Sequence, residues 1–521
     1  MLLGLHVGLR LVVWSRPLRE LDDLLLPDDA YLSLHLARSI AHGLGPLYGL
    51  APTNGFQPLY VFLMAPVFAL AGGDPATPLR VALLLLVAAD AIAMALTVRL
   101  ALRMGCSPGA AAIAGLVWAL SAWSLRTSLN GLETSIAAAL IAATLLQWDR
   151  VRAGAPGASG AAAWGVLGML AGLAYVARID SLILFPALAV PLLAQPGGPP
   201  ATRPSRRRGL AIAAIAAFIV ALPWLLYSWH WTHALLPVSG RAVRYLQLSA
   251  VNHAPTWANT YAVMFQRAAR ALVRNAGLPA AFAMLLSLAA VVVSRGEARA
   301  RIARRLRPLL PLAAYAILLV AAYTLVVFGP WYFGRYFYPL LIPTVLAVAV
   351  IGDELLRSLG TRRAAGLAAI VLLVAAGSLA DPKWRATLTP GTPRPWGYLR
   401  IGEWARAHYP PGTILGSSQT GSLGYFADRL TVVNLDGVVN REAQEAMRRR
   451  DLLGYIRRAG IRELLWQDDI GMIQRESRDG DPRAISYVGD AAGVETEGLP
   501  WGIYRVAPDS AAIHPLGATS K

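Results

Sequence analysis

Cysteine is all but missing. Cys106 is the single one in 521 residues, so no intramolecular disulfide forms and cysteine pairing says nothing about compartment. Charge is scarce as well: Asp, Glu, Lys and Arg make up 15% of the chain, against about 25% in soluble domains. With 56% hydrophobic residues and a mean hydropathy of +0.49, the composition excludes an ordinary soluble domain and reads as a polytopic membrane protein. Acidic residues are the rarer sign, 30 against 48 Lys and Arg, for a net charge of +18. Such an excess suits nucleic acid, but most of the Arg sits in short loops between apolar runs, where it sets topology and meets anionic headgroups. The Arg-rich runs at 203–208 and 295–307 also lack the interleaved aromatics of a nucleic-acid site. There is no Walker loop, HExxH, CxxC or GxSxG, no repeat of solenoid period and no heptad run. No cleavable signal peptide is recognisable, since Met1 opens directly into an apolar run. Abundant Ala, Arg, Gly and Pro hint at a GC-rich, bacterial coding sequence.

What is present is a series of apolar runs, near residues 1–17, 78–102, 109–125, 131–148, 161–177, 180–195, 209–229, 276–294, 309–328, 336–352 and 363–380. A further run, 56–71, is short and carries Pro58 and Pro66. The positive-inside rule decides whether it crosses. With a cytoplasmic N-terminus and a non-spanning 56–71, the loops holding Arg99 and Arg103, Arg150 and Arg152, Arg203 to Arg208, Arg295 to Arg307, and Arg357 with Arg362 and Arg363 all fall inside. The opposite connections hold few cations, with Arg126, Arg178 and Arg335 almost alone. The expectation is therefore about eleven spanning helices, with 56–71 juxtamembrane or re-entrant. It makes residues 1–380 a transmembrane domain with outer loops at 18–77 and 230–275. Residues 381–521 change character. Strand-like runs at Thr413 to Leu415, Thr431 to Leu435, Glu463 to Trp466 and Gly502 to Val506, with a helical pattern at 442–460, read as an α/β domain outside the membrane.

The most polar segment of the N-terminal half is 27–60, which places Asp28 and Asp29 just past the first apolar run. Ionisable groups at a membrane boundary are costly unless paired, solvated or used. Two adjacent carboxylates in a partly desolvated pocket repel, which suits one of them to proton abstraction. They equally suit a divalent cation, or the N-cap of a helix starting at Ala30.

The pattern around them narrows the choice. Pro27-Asp28-Asp29-Ala30-Tyr31, then Ala37-Arg38, Gly43-Leu44-Gly45 and Thr53-Asn54-Gly55-Phe56-Gln57-Pro58-Leu59 resembles the first outer loop of the GT-C superfamily. These are integral-membrane glycosyltransferases that use polyprenyl-phosphate sugars. Asn130-Gly131-Leu132-Glu133-Thr134 is similar to a turn of their bacterial arabinosyl- and mannosyltransferase-like members, and Ala177-Arg178-Ile179-Asp180 resembles an "ARPD" turn with Ile in place of Pro. His233 to Arg241 loosely matches a polar and basic segment of the family, and Arg335-Tyr336 matches its "RY" step. Gly421 to Phe426, followed by Asn434-Leu435-Asp436-Gly437, resembles a pattern of the outer domain, where such glycines serve tight turns. Each also has a plain structural reading, as a dipole cap, a surface ion pair or an aromatic belt.

The resemblance implies a GT-C fold of about eleven transmembrane helices plus juxtamembrane helices, with a C-terminal α/β extracytoplasmic domain. It implies an inverting enzyme in the bacterial cytoplasmic membrane, moving a sugar from a polyprenyl-phosphate donor to a cell-envelope glycan or glycolipid at the outer face. Asp28 is then the expected base, with Asp29 second. Arg178, Asp180, Arg335, Tyr336, Glu133, Asn54, Gln57, His233 and Arg241 are the expected donor-phosphate and substrate contacts. No cofactor is certain; a divalent cation, if used, would sit on Asp28 and Asp29, and neutral Gln57 argues against one. The partners are the lipid-linked donor, the acceptor and the bilayer, not nucleic acid. The rival class is a transporter or flippase of envelope precursors, disfavoured because no second related half is visible.

Overall fold

The computed structural model describes residues 1–154, 160–194, 202–251, 261–267, 269–270, 296–327, 334–377, 382–391, 397–467, 470–478 and 482–508. The chain opens with α1 (Leu2–Trp14), α2 (Leu18–Leu25), α3 (Asp28–Ala41), a hairpin of β1 (Leu47–Tyr48) and β2 (Ala51–Pro52), and α4 (Pro58–Leu70). The helical body continues through α5 (Ala76–Arg103), α6 (Pro108–Leu120), α7 (Ala122–Thr127), α8 (Thr134–Arg152), α9 (Ala161–Ala177), α10 (Leu184–Ala194), α11 (Thr202–Thr232), α12 (Val238–Val251), α13 (Gly296–Leu306), α14 (Leu310–Ala321) and α15 (Leu341–Gly377).

By length and composition, four stretches among the described residues suffice to cross a membrane: Ala76–Arg103, Arg206–Thr232, Ala300–Val327 and Tyr338–Arg357. Shorter apolar helices accompany them, among them Leu2–Trp14, Pro58–Leu70 and Pro108–Leu120 at 13 residues each. Such a helix is about 20 Å long, short of a hydrocarbon core of about 30 Å. The expected run at 276–294 lies outside the described residues. The run expected at 109–125 is cut at Ser121, which ends α6 and whose hydroxyl accepts from Ser124 N at the head of α7. The runs expected separately at 336–352 and 363–380 belong to one helical element, Leu341–Gly377, because nothing between them is a proline and Leu, Arg and Ala favour helix. The path still reverses, since Asp353 accepts from Ser107 N at the start of α6 while Trp384 Nε1 donates to Leu120 O at its end.

The cations of separate connections meet at one end of the body. Arg103 and Arg152 both pair with Asp149 at 3.0 Å, Arg305 with Asp353 at 2.8 Å and Arg301 with Glu354 at 2.6 Å, while Arg357 donates to Gly105 O. These belong to the loops that charge asymmetry assigns to a common face. Asp28 and Asp29 lie at the other end.

After α16 (Pro382–Leu388) the chain builds a five-stranded sheet with α17 (Leu399–His408), β3 (Ile414–Ser417), α18 (Gly421–Phe426), β4 (Thr431–Asn434), α19 (Arg441–Arg449), α20 (Leu452–Arg458), β5 (Glu463–Trp466), α21 (Gly471–Arg475), β6 (Ile485–Thr496) and β7 (Leu499–Val506). The order is β4-β3-β5-β7-β6, with β3 parallel to β4 and β5, and the β6–β7 hairpin antiparallel. The helical pattern expected over 442–460 is two helices, broken where Arg450 adopts a left-handed conformation. β6 was not expected: most of its residues are exposed, and irregular register between Tyr487 and Glu495 hides the alternation that marks a strand.

Candidate active site

Pro27 ends the linker from α2, and α3 begins at Asp28 itself, two residues before the expected start. Neither aspartate caps its own helix: the N-cap is Pro27 and no side-chain cap bond is present. Asp28 turns instead into the C-terminal α/β domain, where its carboxylate accepts from Gly421 N at 2.7 Å and Ser422 N at 2.9 Å. It thus caps α18 from another part of the chain. Gly421 is required for this approach, because a Cβ there would stand 2.0 Å from Asp28 O. At the other end of α18, Arg38 donates to Tyr425 O at 2.8 Å and Gly424 O at 2.7 Å, and His35 Nδ1 lies 2.8 Å from Gly424 O. An acid at the N-terminus and a base at the C-terminus match the helix dipole. Burial pushes Asp28 up to about 6 and the charge of Asp29 adds to this, while the two N–H groups work the other way. Gly421 and Gly424, expected in tight turns, are close-approach positions in a helix; of that motif, Gly437 has the turn geometry, at φ +80°.

Asp29, on the neighbouring helical position, has a side chain 43% exposed and pairs with the guanidinium of Arg335. Arg335 lies 5.3 Å from the ring centre of Tyr336, and Arg178 lies 5.9 Å from the same ring. Tyr323 stacks on Tyr336 with centroids 4.5 Å apart. Arg178 is buried and forks onto two carboxylates, donating to Glu133 Oε1 at 2.9 Å and to Asp180 Oδ2 at 2.6 Å. It also donates to Tyr323 OH, which in turn donates to Asp180 Oδ2 at 2.6 Å. Gln57 Oε1 accepts from Ile179 N at 3.2 Å, tying the head of α4 to this turn. Glu133, Arg178, Asp180, Arg335, Tyr336, Asp29 and Gln57 are therefore brought together from five separate connections.

The remaining expected residues are not part of the cluster. Asn54 holds the turn after α11, donating to Ser228 Oγ and Leu236 O and accepting from Val238 N at 3.0 Å. His233 sits edge-on to Trp229, with centroids 5.9 Å apart, and Arg241 is exposed on α12. Two residues of the site were missed. Tyr323 lies in an apolar run where nothing separates it from a belt aromatic. Asp436, quoted only as part of a turn motif, accepts from Val438 N at 2.9 Å; burial pushes it up to about 7, and the charges of Asp29 and Asp28 reinforce the shift.

Asp28 is committed to two N–H groups and Asp29 to a guanidinium, and among the described residues no group of three or more His, Cys, Asp or Glu side chains is placed to hold a metal.

A family model described as a domain of unknown function (DUF8728) matches residues 390–496. No curated protein matches the sequence. Solved structures do. ArnT from Cupriavidus metallidurans bound to undecaprenyl phosphate superposes with a TM-score of 0.60 at 15% identity, over 96% of this chain and 98% of that one. The archaeal oligosaccharyltransferase AglB from Archaeoglobus fulgidus, in complex with an inhibitory peptide and a dolichol-phosphate, gives 0.56 at 14% identity, over 99% and 75%. The fold is that of the GT-C glycosyltransferases. ArnT in the apo state gives 0.54 at 13% identity, over 96% and 97%. The likeness extends through the C-terminal α/β domain rather than stopping at the helical body, which holds four stretches long and apolar enough to cross a membrane among the described residues.

Proposed function

We propose that this GT-C chain transfers a sugar from a polyprenyl-phosphate donor to a cell-envelope glycan or glycolipid at the outer face of the bacterial cytoplasmic membrane, with inversion at the anomeric carbon. The observation that carries the reading is the row Asp29–Arg335–Tyr336–Arg178 at the end of the body opposite the Arg-rich loops. A sugar phosphate ester needs two things from its enzyme: a base for the acceptor hydroxyl and fixed positive charge for the departing phosphate. Asp29 supplies the first. Its carboxylate takes the acceptor proton as the acceptor oxygen bonds to C1. The C1–O bond to phosphate breaks, and the electron pair leaves with the lipid phosphate beside Arg335 and Arg178. The Arg335 guanidinium suits phosphate oxygens, while Arg178, already forked onto Glu133 and Asp180, adds positive charge from behind it. One ArnT structure is bound to undecaprenyl phosphate and AglB is in complex with a dolichol-phosphate, which supports the donor class.

Asp28, ranked first from sequence, is the weaker candidate for the base, because its buried oxygens already accept from Gly421 and Ser422. Asp29→Asn in proteoliposomes with a decaprenyl-phosphate-linked sugar is expected to lower transfer by about 10²- to 10⁴-fold at normal expression. Undiminished transfer would remove Asp29 from this role.

A further inference from the structure

Resting on the transferase reading, we infer that the carboxyl edge of the outer sheet, at Ser418, Asn434 and Asp436, is the acceptor subsite, and that it takes a neutral, hydroxyl-rich glycan rather than an anionic one. From β3 the chain goes to β4 on one side and then crosses to β5 on the other. In open α/β sheets ligands gather at the carboxyl ends of the strands, at the point where the strand order reverses. The reversal falls between β3 and β5, so Ser418 stands at it, while Asn434 and Asp436 stand one strand over at the end of β4 on the same carboxyl edge, which is fastened to the helical body. Tyr48 OH donates to Thr420 O at 2.7 Å, and Asp28 holds the N–H groups of Gly421 and Ser422. The edge is thereby aimed at the head of α3, which bears Asp29.

Two side chains at this edge are built for a ligand. Asn434 is 3% exposed; its amide nitrogen reaches Thr420 Oγ1 at 3.3 Å and Ser418 O at 3.4 Å and its side chain also hydrogen-bonds Asp436, but its Oδ1 has no partner among the described residues. Ser418 Oγ, beside it on β3's end, is likewise buried and unpartnered there. Leaving such atoms without hydrogen bonds is costly, so they point to a group that supplies them. Asn434 Oδ1 accepts, Ser418 Oγ donates or accepts, and Asp436 accepts, which together fit sugar hydroxyls. Asp28, held at Gly421 and Ser422, and Asp436, after β4, set two carboxylates beside this edge. A phosphate or uronate would be repelled there, while Arg335 and Arg178 lie on the membrane side, where the donor phosphate leaves.

The test presents the full-length protein in nanodiscs to an array of neutral oligomannosides and oligoarabinofuranosides, free and lipid-linked, alongside phosphorylated and uronate-bearing counterparts. Wild-type protein should retain neutral members; retention of lipid-linked members alone marks a glycolipid acceptor, and of both kinds a glycan. Asp436→Asn, isosteric and on a half-buried side chain, should weaken that binding about ten- to hundredfold, as should Asn434→Ala if it folds. Retention of anionic members only, no retention of any glycan, or equal binding by wild type and Asp436→Asn overturns the assignment. Native mass spectrometry with decaprenyl phosphate reads the donor side separately. Absence of lipid binding there strikes the transferase reading, whatever the array shows.

Discussion

Asp28→Asn should flatten the pH dependence of outer-domain docking. The folded chain holds Asp28 at about 6 against an ordinary value of 3.8, chiefly through burial. A folded pKa above the unfolded one means that the docked state binds more protons between those two values. Docking is then strongest below about pH 4, weakens as pH rises through the folded pKa, and levels off above it. The shift of about two units corresponds to about 3 kcal/mol over the whole window, of which about 2 kcal/mol falls between pH 7.5 and 4.5. Asparagine cannot titrate, so the variant lacks this slope. At pH 7.5 it also loses one charged acceptor facing Gly421 N or Ser422 N, a cost of about 1–3 kcal/mol. The removal of a desolvated charge offsets that cost, leaving the two proteins within about 2 kcal/mol.

The assay is hydrogen exchange at the amides of Gly421 to Phe426 in the full chain, which reports local opening directly. Asp22 accepts from Tyr31 OH and Leu399 N and is pushed up to about 7 by burial, so it contributes a slope of the same sign in both proteins. The difference between wild type and variant isolates Asp28. Equal slopes between pH 4.5 and 7.5 would refute the reasoning.

Gly421→Ala places a methyl group against a backbone oxygen 2.0 Å away; exchange should rise in α3 and α18 together and transfer should fall at least about tenfold, since the outer domain loses its register on the base. Arg178→Ala leaves Glu133 and Asp180 without their shared cation, so thermal unfolding should report a loss of about 3–5 kcal/mol. Arg178→Lys keeps the charge but not the fork, and should raise the KM for donor lipid with a smaller loss of stability. Arg305→Ala, at the opposite end, removes one of the two arginines paired with Asp353, leaving Arg357; it should lower the melting temperature while leaving the KM for donor unchanged, and a changed KM would mean that the two ends of the body are coupled.

Much of this was legible in the sequence, for identifiable reasons. Arginine placement separated the two ends of the helical body because short loops must sort their cations by side. Arg103, Arg152, Arg301, Arg305 and Arg357 do lie together, away from Asp28. Strands β3, β4 and β5 were legible because short apolar runs between turn residues have few other uses. What local pattern cannot encode is partnership across hundreds of residues. Asn54 looks like a ligand contact until Ser228 and Val238 are found on it. Gly421 looks like a turn until Asp28 is found against it, and Tyr323 looks like a belt aromatic until Asp180 accepts its hydroxyl.

The adjacent aspartates illustrate the limit most plainly. Successive residues on a helix point about 100° apart, so Asp28 and Asp29 at the head of α3 meet different partners. One carboxylate faces the outer domain and the other faces Arg335. This split links two tasks through a single turn of helix. The docking that Asp28 secures sets where Asp29 points, and it brings Asp436 to within reach of the same charges. On the role proposed for Asp29, the C-terminal α/β domain has to be seated before the base is in place. Variants that loosen α18 should therefore lose transfer even though they alter no residue of the Asp29–Arg335–Tyr336–Arg178 row.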